Sequence, residues 1–280
     1  MCPSLSSESQ PAPIIIGDYP VVPRQRYTPE KPHPQIHQAC LDVRGEILEL
    51  LRSFQAYEQE LLSVPTEPQA DAPQQFAWNN GFLAFLDAMG LYGFLAQQKP
   101  RNYLEIGSGN STRLAHAARQ KHSPHTRITS IDPFPRAEID ALCDEVIRAP
   151  LEETDLKWIE RLDAGDILFF DGSHRVFQNS DVEVFFLEVL PRLRPGVLVQ
   201  VHDIFWPIDY PQGIMDRFYS EQYMLGMLIA FAPEKIRIRL PNTFISLNEA
   251  LEPHFPRLLG GGNVPREHWH GCSFWFEWLG

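Results

Sequence analysis

At 280 residues, 44% apolar and 21% charged, the chain is long enough to bury a full core and has the make-up of an ordinary globular protein, not a disordered or fibrous one. With 36 acidic against 24 basic residues its formal net charge is −12, a surface that repels phosphate backbones and argues against a nucleic-acid partner. The apolar run over 224–232 is far short of the roughly 20 residues that cross a bilayer, the opening residues lack a secretory pattern, and Cys2, Cys40, Cys143 and Cys272 are too scattered for metal or redox pairs, so no membrane partner and a cytoplasmic location are expected.

Residues 1–35 carry eight prolines and read as an extended Pro-rich arm. Ile14 to Ile16, with Val21 and Val22, are apolar enough to dock on a partner subunit. Over 35–62, Ile36, Cys40, Val43, Ile47, Leu50, Leu51 and Phe54 recur at three- and four-residue steps, one face of a helix. Residues 36–75 are therefore expected as a helical extension serving as lid or homodimer contact. Residues 76–280 are expected as the catalytic domain, starting with a second helix over 76–97 in which Trp78, Asn79 and Asn80 come first.

After Pro100 the texture alternates. Strand-like runs at 103–106, 127–131, 145–148, 166–170 and 197–201 are separated by helix-like runs at 111–120, 136–143, 156–162 and 180–193. Such alternation predicts an α/β fold: a Rossmann-like, doubly wound, mostly parallel sheet. A long amphipathic stretch over 215–231 follows, and strand-like runs at 235–240 and 273–278 finish the chain.

The first strand ends in Glu105-Ile106-Gly107-Ser108-Gly109, and Asn110 and Ser111 lead into the next helix. Gly107 and Gly109 let the backbone turn sharply and approach a ligand, and Ser111 or Thr112 can cap the helix. Asp132 ends the second strand, where open α/β sheets place a carboxylate for ribose hydroxyls. A dinucleotide fingerprint wants glycine where Thr112 stands. Glu105, two positions before the first glycine, would repel a pyrophosphate and suit a cationic ligand such as the sulfonium of S-adenosylmethionine. An NAD-dependent oxidoreductase on a similar sheet is the alternative, and a non-catalytic protein of the same fold is a further one.

With these motifs the chain resembles the class I S-adenosylmethionine-dependent methyltransferases. The resemblance continues through Asp171-Gly172-Ser173-His174, the Arg194-Pro195-Gly196 turn, His202-Asp203 and the closing run over 273–278. These last features are similar to a bacterial small-molecule subgroup related to sugar and macrolide O-methyltransferases. The resemblance implies a seven-stranded sheet with an antiparallel last strand, and methyl transfer from S-adenosylmethionine to a small-molecule acceptor, expected at a hydroxyl oxygen. It implies that Glu105, Gly107, Gly109, Asn110 and Ser111 hold the methionine end, that Asp132 holds the ribose and that Leu151 or Glu152 flanks the adenine. Asp171 and Gly172 would lie beside the methyl group.

Asp171, His174, His202 and Asp203 all fall at two strand ends and are the expected catalytic cluster. His174 or His202 is the candidate general base. By resemblance, Asp171, His202 and Asp203 are also a candidate divalent-metal site, and the histidine moves the expected ion from magnesium toward zinc, iron or manganese. Trp206 and Tyr210 follow closely, and they and Glu221 of the next helix are expected to line the acceptor pocket. His268, His270 and Cys272 have an i, i+2, i+4 spacing that zinc sites rarely use alone; a loop into the last strand is the plainer reading.

Overall fold

A computed structural model describes residues 23–280; the expected docking residues Ile14–Ile16, Val21 and Val22 lie outside them. The N-terminal helices are α1 (Pro34–Asp42), α2 (Arg44–Phe54), the single turn α3 (Glu58–Leu61) and α4 (Phe85–Gln98). Then come β1 (Asn102–Ile106), α5 (Asn110–His122), β2 (Arg127–Ile131), β3 (Glu145–Ile147), β4 (Ile167–Phe170), α6 (Asp181–Val184) and β5 (Leu198–Val201). The chain ends with α7 (Gln212–Met215), α8 (Glu221–Phe231), β6 (Ile236–Pro241), α9 (Asn242–Asn248), α10 (Pro256–Gly260) and β7 (Phe274–Trp278). Among the described residues, no helix is long and apolar enough to cross a membrane.

The strands form one seven-stranded sheet in the order β3-β2-β1-β4-β5-β7-β6. β1 to β5 pair in parallel: Tyr103 lies between Ile128 of β2 and Ile167 of β4. β7 runs antiparallel to both β5 and β6, with Val201 opposite Phe274 and Ile236 opposite Trp278. This is the expected Rossmann-like sheet with an antiparallel last strand. β2, β4 and β5 bury nearly every residue because helices cover both faces. Strand order reverses between β1 and β4, so the connections leave in opposite directions and open a crevice at the carboxyl ends.

The N-terminal helices pack into the same core. Ile36 and Cys40 of α1, and Ile47, Leu51 and Phe54 of α2, are all buried. Burying each such large side chain contributes roughly 1.5–3 kcal/mol. Phe54 lies so close to α4 that a Cβ on Gly93 would come within 2.3 Å of its ring, so glycine there permits the approach of α2 to α4.

Several expected helices are shorter. The run over 35–62 breaks at Val43 into α1 and α2. The run over 76–97 becomes helical only from Phe85, because Asn80 captures the backbone first. Its Nδ2 donates to the carbonyls of Ala77 and Leu83, and its Oδ1 accepts from the amides of Phe82 and Leu83, a local bonding pattern that competes with a helix. Residues 136–143 hold one 3-10 turn, Asp140–Leu142, and 156–162 another, Leu156–Arg161. Over 180–193, α6 gives way to a π turn and then a 3-10 turn at Leu190–Arg192, where Pro191 has no amide to continue the ladder. Within 215–231, α8 begins only at Glu221.

Candidate active site

The glycine loop leaves β1 at the sheet's reversal point. Gly107 has φ +80°, and a Cβ there would lie 1.9 Å from the carbonyl oxygen of Asp171. The loops after β1 and β4 therefore touch, backbone to backbone, as only glycine allows. Asp132 organises the other side: its Oδ2 accepts from the amide and hydroxyl of Ser108 at 2.7 and 3.0 Å, and its Oδ1 accepts from the amide of Phe134. Asp181 holds the loop after β4 by accepting from the amide of Ser173.

Between these loops runs a cleft of about 360 Å³ lined by Gly107, Ser108, Asp132, Phe134, Arg136, Pro150, Leu151, Glu152, Asp171, Gly172, Ser173 and Asp181, among others. A second hollow of about 200 Å³ shares Ser108, Arg136 and Asp171 with it and adds Asn80, Phe82, Leu83, Gly109, Asn110, Ser111, Arg113 and His202. Of the expected cofactor residues, Gly107, Gly109, Asn110, Ser111, Asp132, Leu151, Asp171 and Gly172 all line one or other of these adjoining hollows. Glu105 does not, and this corrects its expected place. It is fully buried beneath the loop, where its carboxylate accepts from the hydroxyls of Thr112 and Tyr103. Burial pushes its pKa up to about 8, against the pull of hydrogen bonds from the hydroxyls of Ser111, Thr112 and Tyr103. Thr112 also accepts from the amide of Gly109 at 3.0 Å, so Glu105 and Thr112 brace the glycine loop from below.

At the ends of β4 and β5 the four expected catalytic residues converge. His202 Nδ1 lies 3.3 Å from Asp203 Oδ1, without the alignment of a hydrogen bond, and 3.7 Å from Asp171 Oδ1. Both its ring nitrogens are buried with no hydrogen-bond partner. Burial alone would lower the His202 pKa, but the negative charges of Asp171 and Asp203 outweigh it and push the pKa up to about 10. Burial works against ionisation of Asp203, yet His202 and His174 hold it well below the usual carboxylate range. His174 sits behind, 4% exposed. Its Nδ1 is 2.7 Å from Glu221 Oε1, its Nε2 is 3.4 Å from Asp171, and its ring stacks on Tyr219. Burial pulls its pKa down and Glu221, with Asp171 and Asp203, more than restores it, so it too is raised. Only His202 of the two reaches the hollow. His174 and Asp203 have φ of +67° and +54°. Such left-handed backbone in residues other than glycine costs about 1–2 kcal/mol each and persists where the surroundings over-determine it.

Three expected acceptor residues are placed elsewhere. Trp206, Tyr210 and Glu221 are buried and line neither part of the cleft. Trp206 Nε1 donates to the carbonyl of Gln222, the Tyr210 hydroxyl accepts from the amide of Gln222, and Glu221 pairs with His174. Satisfying these buried polar groups draws the side chains inward. Exposed aromatics at the cleft are instead Phe134, 87% exposed, and Phe82, 59% exposed. Of His268, His270 and Cys272, His268 bonds to Asn79 and His270 is exposed; only Cys272 approaches the cluster, its Sγ 3.2 Å from Asp203 Oδ1. Sequence reasoning missed Asp87, whose Oδ2 lies 3.7 Å from His202 Nε2. Its signal was a single acid in the otherwise apolar, buried run that opens α4.

Residues 104–204, which hold the glycine loop, Asp132, Asp171, His174, His202 and Asp203, match a family model described as a methyltransferase domain. An uncharacterised protein of Archaeoglobus fulgidus is 28% identical over 122 residues, which are 41% of this chain and 53% of that protein, so the chain aligns with about half the length of this curated relative. Among solved structures, an O-methyltransferase from Bacillus cereus in complex with S-adenosylhomocysteine is 17% identical over 90% of this chain and 100% of that one, with a TM-score of 0.44. The O-methyltransferase TomG from Streptomyces achromogenes, in complex with S-adenosylmethionine, is 16% identical over 82% and 90% of the two chains, with a TM-score of 0.39.

Proposed function

We propose that this chain, whose residues 104–204 match the methyltransferase-domain model, moves the methyl group of S-adenosylmethionine to a hydroxyl oxygen of a small-molecule acceptor. The observation that carries the reading is the charge of the cleft. Asp132, Glu152, Asp171 and Asp181 line its main part against the single cation Arg136. Such a lining favours a ligand with a sulfonium and an ammonium and disfavours the pyrophosphate of NAD.

In this reading Gly107 to Ser111 receive the methionine end, Asp132 accepts from the ribose hydroxyls, and Pro150 to Glu152 flank the adenine. The acceptor enters through the hollow lined by His202, Asn80, Phe82 and Leu83. Methyl transfer is an in-line displacement: the acceptor oxygen forms a bond to the methyl carbon as the carbon–sulfur bond breaks, the sulfonium becomes a neutral thioether, and the hydroxyl proton leaves. The leaving group is already good, so the residues' work is alignment and exclusion of water. Of the two carboxylates beside His202 Nδ1, Asp171 lines both parts of the cleft and presents an oxygen to the departing proton. His202 cannot take it while its own proton is held between those two carboxylates.

Asp171, His202 and Asp203 fit a divalent cation, since their ligand atoms lie within 4.8 Å of one another and the His202 nitrogens have no other partner. When bound, such an ion would supply Lewis acidity toward an acceptor oxygen, and it would take the place of the His202 proton. Titration calorimetry with S-adenosylmethionine, S-adenosylhomocysteine and NADH tests the cofactor. The first two should bind and NADH should not; uptake of NADH without S-adenosylmethionine would overturn the assignment.

A further inference from the structure

We infer that Asp87 is the positioning residue that orients His202 as a metal ligand through Nδ1, and that this pairing steers the site toward zinc-, cobalt- or iron-class ions over magnesium. The inference rests on the reading of Asp171, His202 and Asp203 as a cation site.

Asp87 is the one charged residue in the buried run of α4, and it is 1% exposed. Its carboxylate is held rigidly from one side. Oδ1 accepts from Asn242 Nδ2 at 2.7 Å and from the amides of Cys272 and Ser273 at 2.9 and 2.7 Å. A Cβ at Gly271 would come within 2.6 Å of that oxygen, so the approach of the β7 entry loop to Asp87 depends on glycine. These donors saturate Oδ1; Oδ2 shares the Cys272 amide at 3.1 Å and turns its other side to the imidazole, 3.7 Å from His202 Nε2.

The two ring nitrogens therefore look at different partners. Nε2 faces Asp87, and Nδ1 faces Asp203 and Asp171. Both are buried and unpartnered, which an isolated structural histidine would not tolerate. A carboxylate behind a ligating histidine fixes its proton on the rear nitrogen, aims the front lone pair and raises ligand basicity. Asp87 is placed to keep the proton on Nε2 and the Nδ1 lone pair toward the two carboxylates. Cys272 ties the arrangement together, with Sγ 3.2 Å from Asp203 Oδ1 and 3.8 Å from Asp87 Oδ2. A site of one imidazole nitrogen and two carboxylates suits borderline ions, whereas magnesium favours oxygen alone.

The test is titration of the full chain with cobalt(II), followed by its visible absorption, and with magnesium, followed by calorimetry, with S-adenosylmethionine binding measured in parallel. Wild type should take cobalt(II) at least tenfold more tightly than magnesium. Asp87→Asn should weaken cobalt(II) by roughly 10–100-fold, as loss of a carboxylate behind a ligating histidine does, and leave S-adenosylmethionine affinity unchanged. His202→Glu should reverse the preference toward magnesium. In that background Asp87→Asn should have no further effect on the metal, which separates orientation of the ring from damage to the core. Should Asp87→Asn not fold, nitrogen-15 shifts of His202 in the metal-loaded wild type decide the matter: Nδ1 coordinated with the proton on Nε2 is expected, and the opposite tautomer overturns the inference. Equal cobalt(II) affinity in wild type and Asp87→Asn also overturns it, and leaves the cation site standing. A wild type that binds S-adenosylmethionine but no cobalt(II) removes the cation site and this inference together, while the methyl-donor reading survives.

Discussion

Replacing Gly107 by alanine tests whether the contact between the loops after β1 and β4 builds the cofactor cleft. Two costs are visible. The residue sits at φ +80°, where a side chain costs about 1–2 kcal/mol. The new Cβ would also stand 1.9 Å from the Asp171 carbonyl oxygen. That oxygen is backbone, so it cannot swing aside as a flexible side chain would; the two loops must part, at a further cost of about 1–3 kcal/mol as for other overpacked sites. Together these predict a loss of roughly 2–5 kcal/mol, or a fall in Tm on the order of 5–15 °C for a domain of this size. The same displacement moves Gly107 and Asp171, on facing walls of the cleft, so S-adenosylmethionine should bind at least about tenfold more weakly, equivalent to 1.4 kcal/mol. Gly109→Ala is the control for stability, because a Cβ there meets nothing within 4 Å. Differential scanning calorimetry and titration calorimetry on both variants give the answer. A Gly107→Ala protein with wild-type Tm and wild-type affinity would refute the claim that this close approach shapes the site.

Asp132→Ala should weaken S-adenosylmethionine by roughly 10–100-fold, since a hydrogen bond to a charged group contributes about 1.5–3 kcal/mol; calorimetry showing no change would remove Asp132 from the ribose. Glu105→Gln should leave that affinity within about threefold, under 1 kcal/mol, because the carboxyl braces Thr112 and does not face the ligand; a hundredfold loss would restore it as a direct partner of the sulfonium. The same variant should be more stable than wild type above pH 8. The Glu105 pKa is raised to about 8 in the folded protein, so its stabilising contribution is present below its unfolded value and is lost as pH rises through 8. For His202, raised to about 10, the contribution is full below about pH 6.5 and is lost as pH climbs toward 10. Metal-free wild type should therefore lose Tm across that window more steeply than His202→Gln, and saturating cobalt(II) should flatten the difference.

The sheet was legible because two-sided burial leaves a local mark. The runs ending at Phe170 and Val201 are apolar almost throughout, those ending at Ile106 and Ile131 mix apolar with polar residues, and each is followed by the residue that the fold brings to the crevice: Gly107, Asp132, Asp171 and His202. A site built on successive strand ends can be read in chain order, since the connections between parallel strands return every strand's carboxyl end to the same edge. Asp87 and Cys272 escape that logic. They reach His202 from the start of α4 and from the entry to β7, and no local spacing reports a contact made across the core. Trp206, Tyr210 and Glu221 were misplaced for a related reason: the first two are close in sequence to Asp203 and Glu221 opens the next helix, but Gln222 and His174 offer buried polar groups that need partners, and that demand turns the three inward.

Glu105 carries the sharper lesson about charge. A lone acid beside a glycine turn argues for a cationic ligand only if its carboxylate faces the ligand, and sequence supplies the sign of a charge without its direction. Here the carboxylate faces Thr112, and burial raises its pKa enough that near neutral pH much of it is protonated. The argument for a positively charged donor nonetheless survives, on different residues. Asp132, Glu152, Asp171 and Asp181 come from the ends of β2 and β4, the loop after β3 and the start of α6. Their convergence on the main part of the cleft, opposed there by Arg136 while Arg113 borders the adjoining hollow, is a property of the strand order and not of any one motif. The electrostatic selection of the ligand therefore belongs to the sheet's reversal point, and substitutions in the glycine turn alone should alter fit more than they alter which charge the cleft prefers.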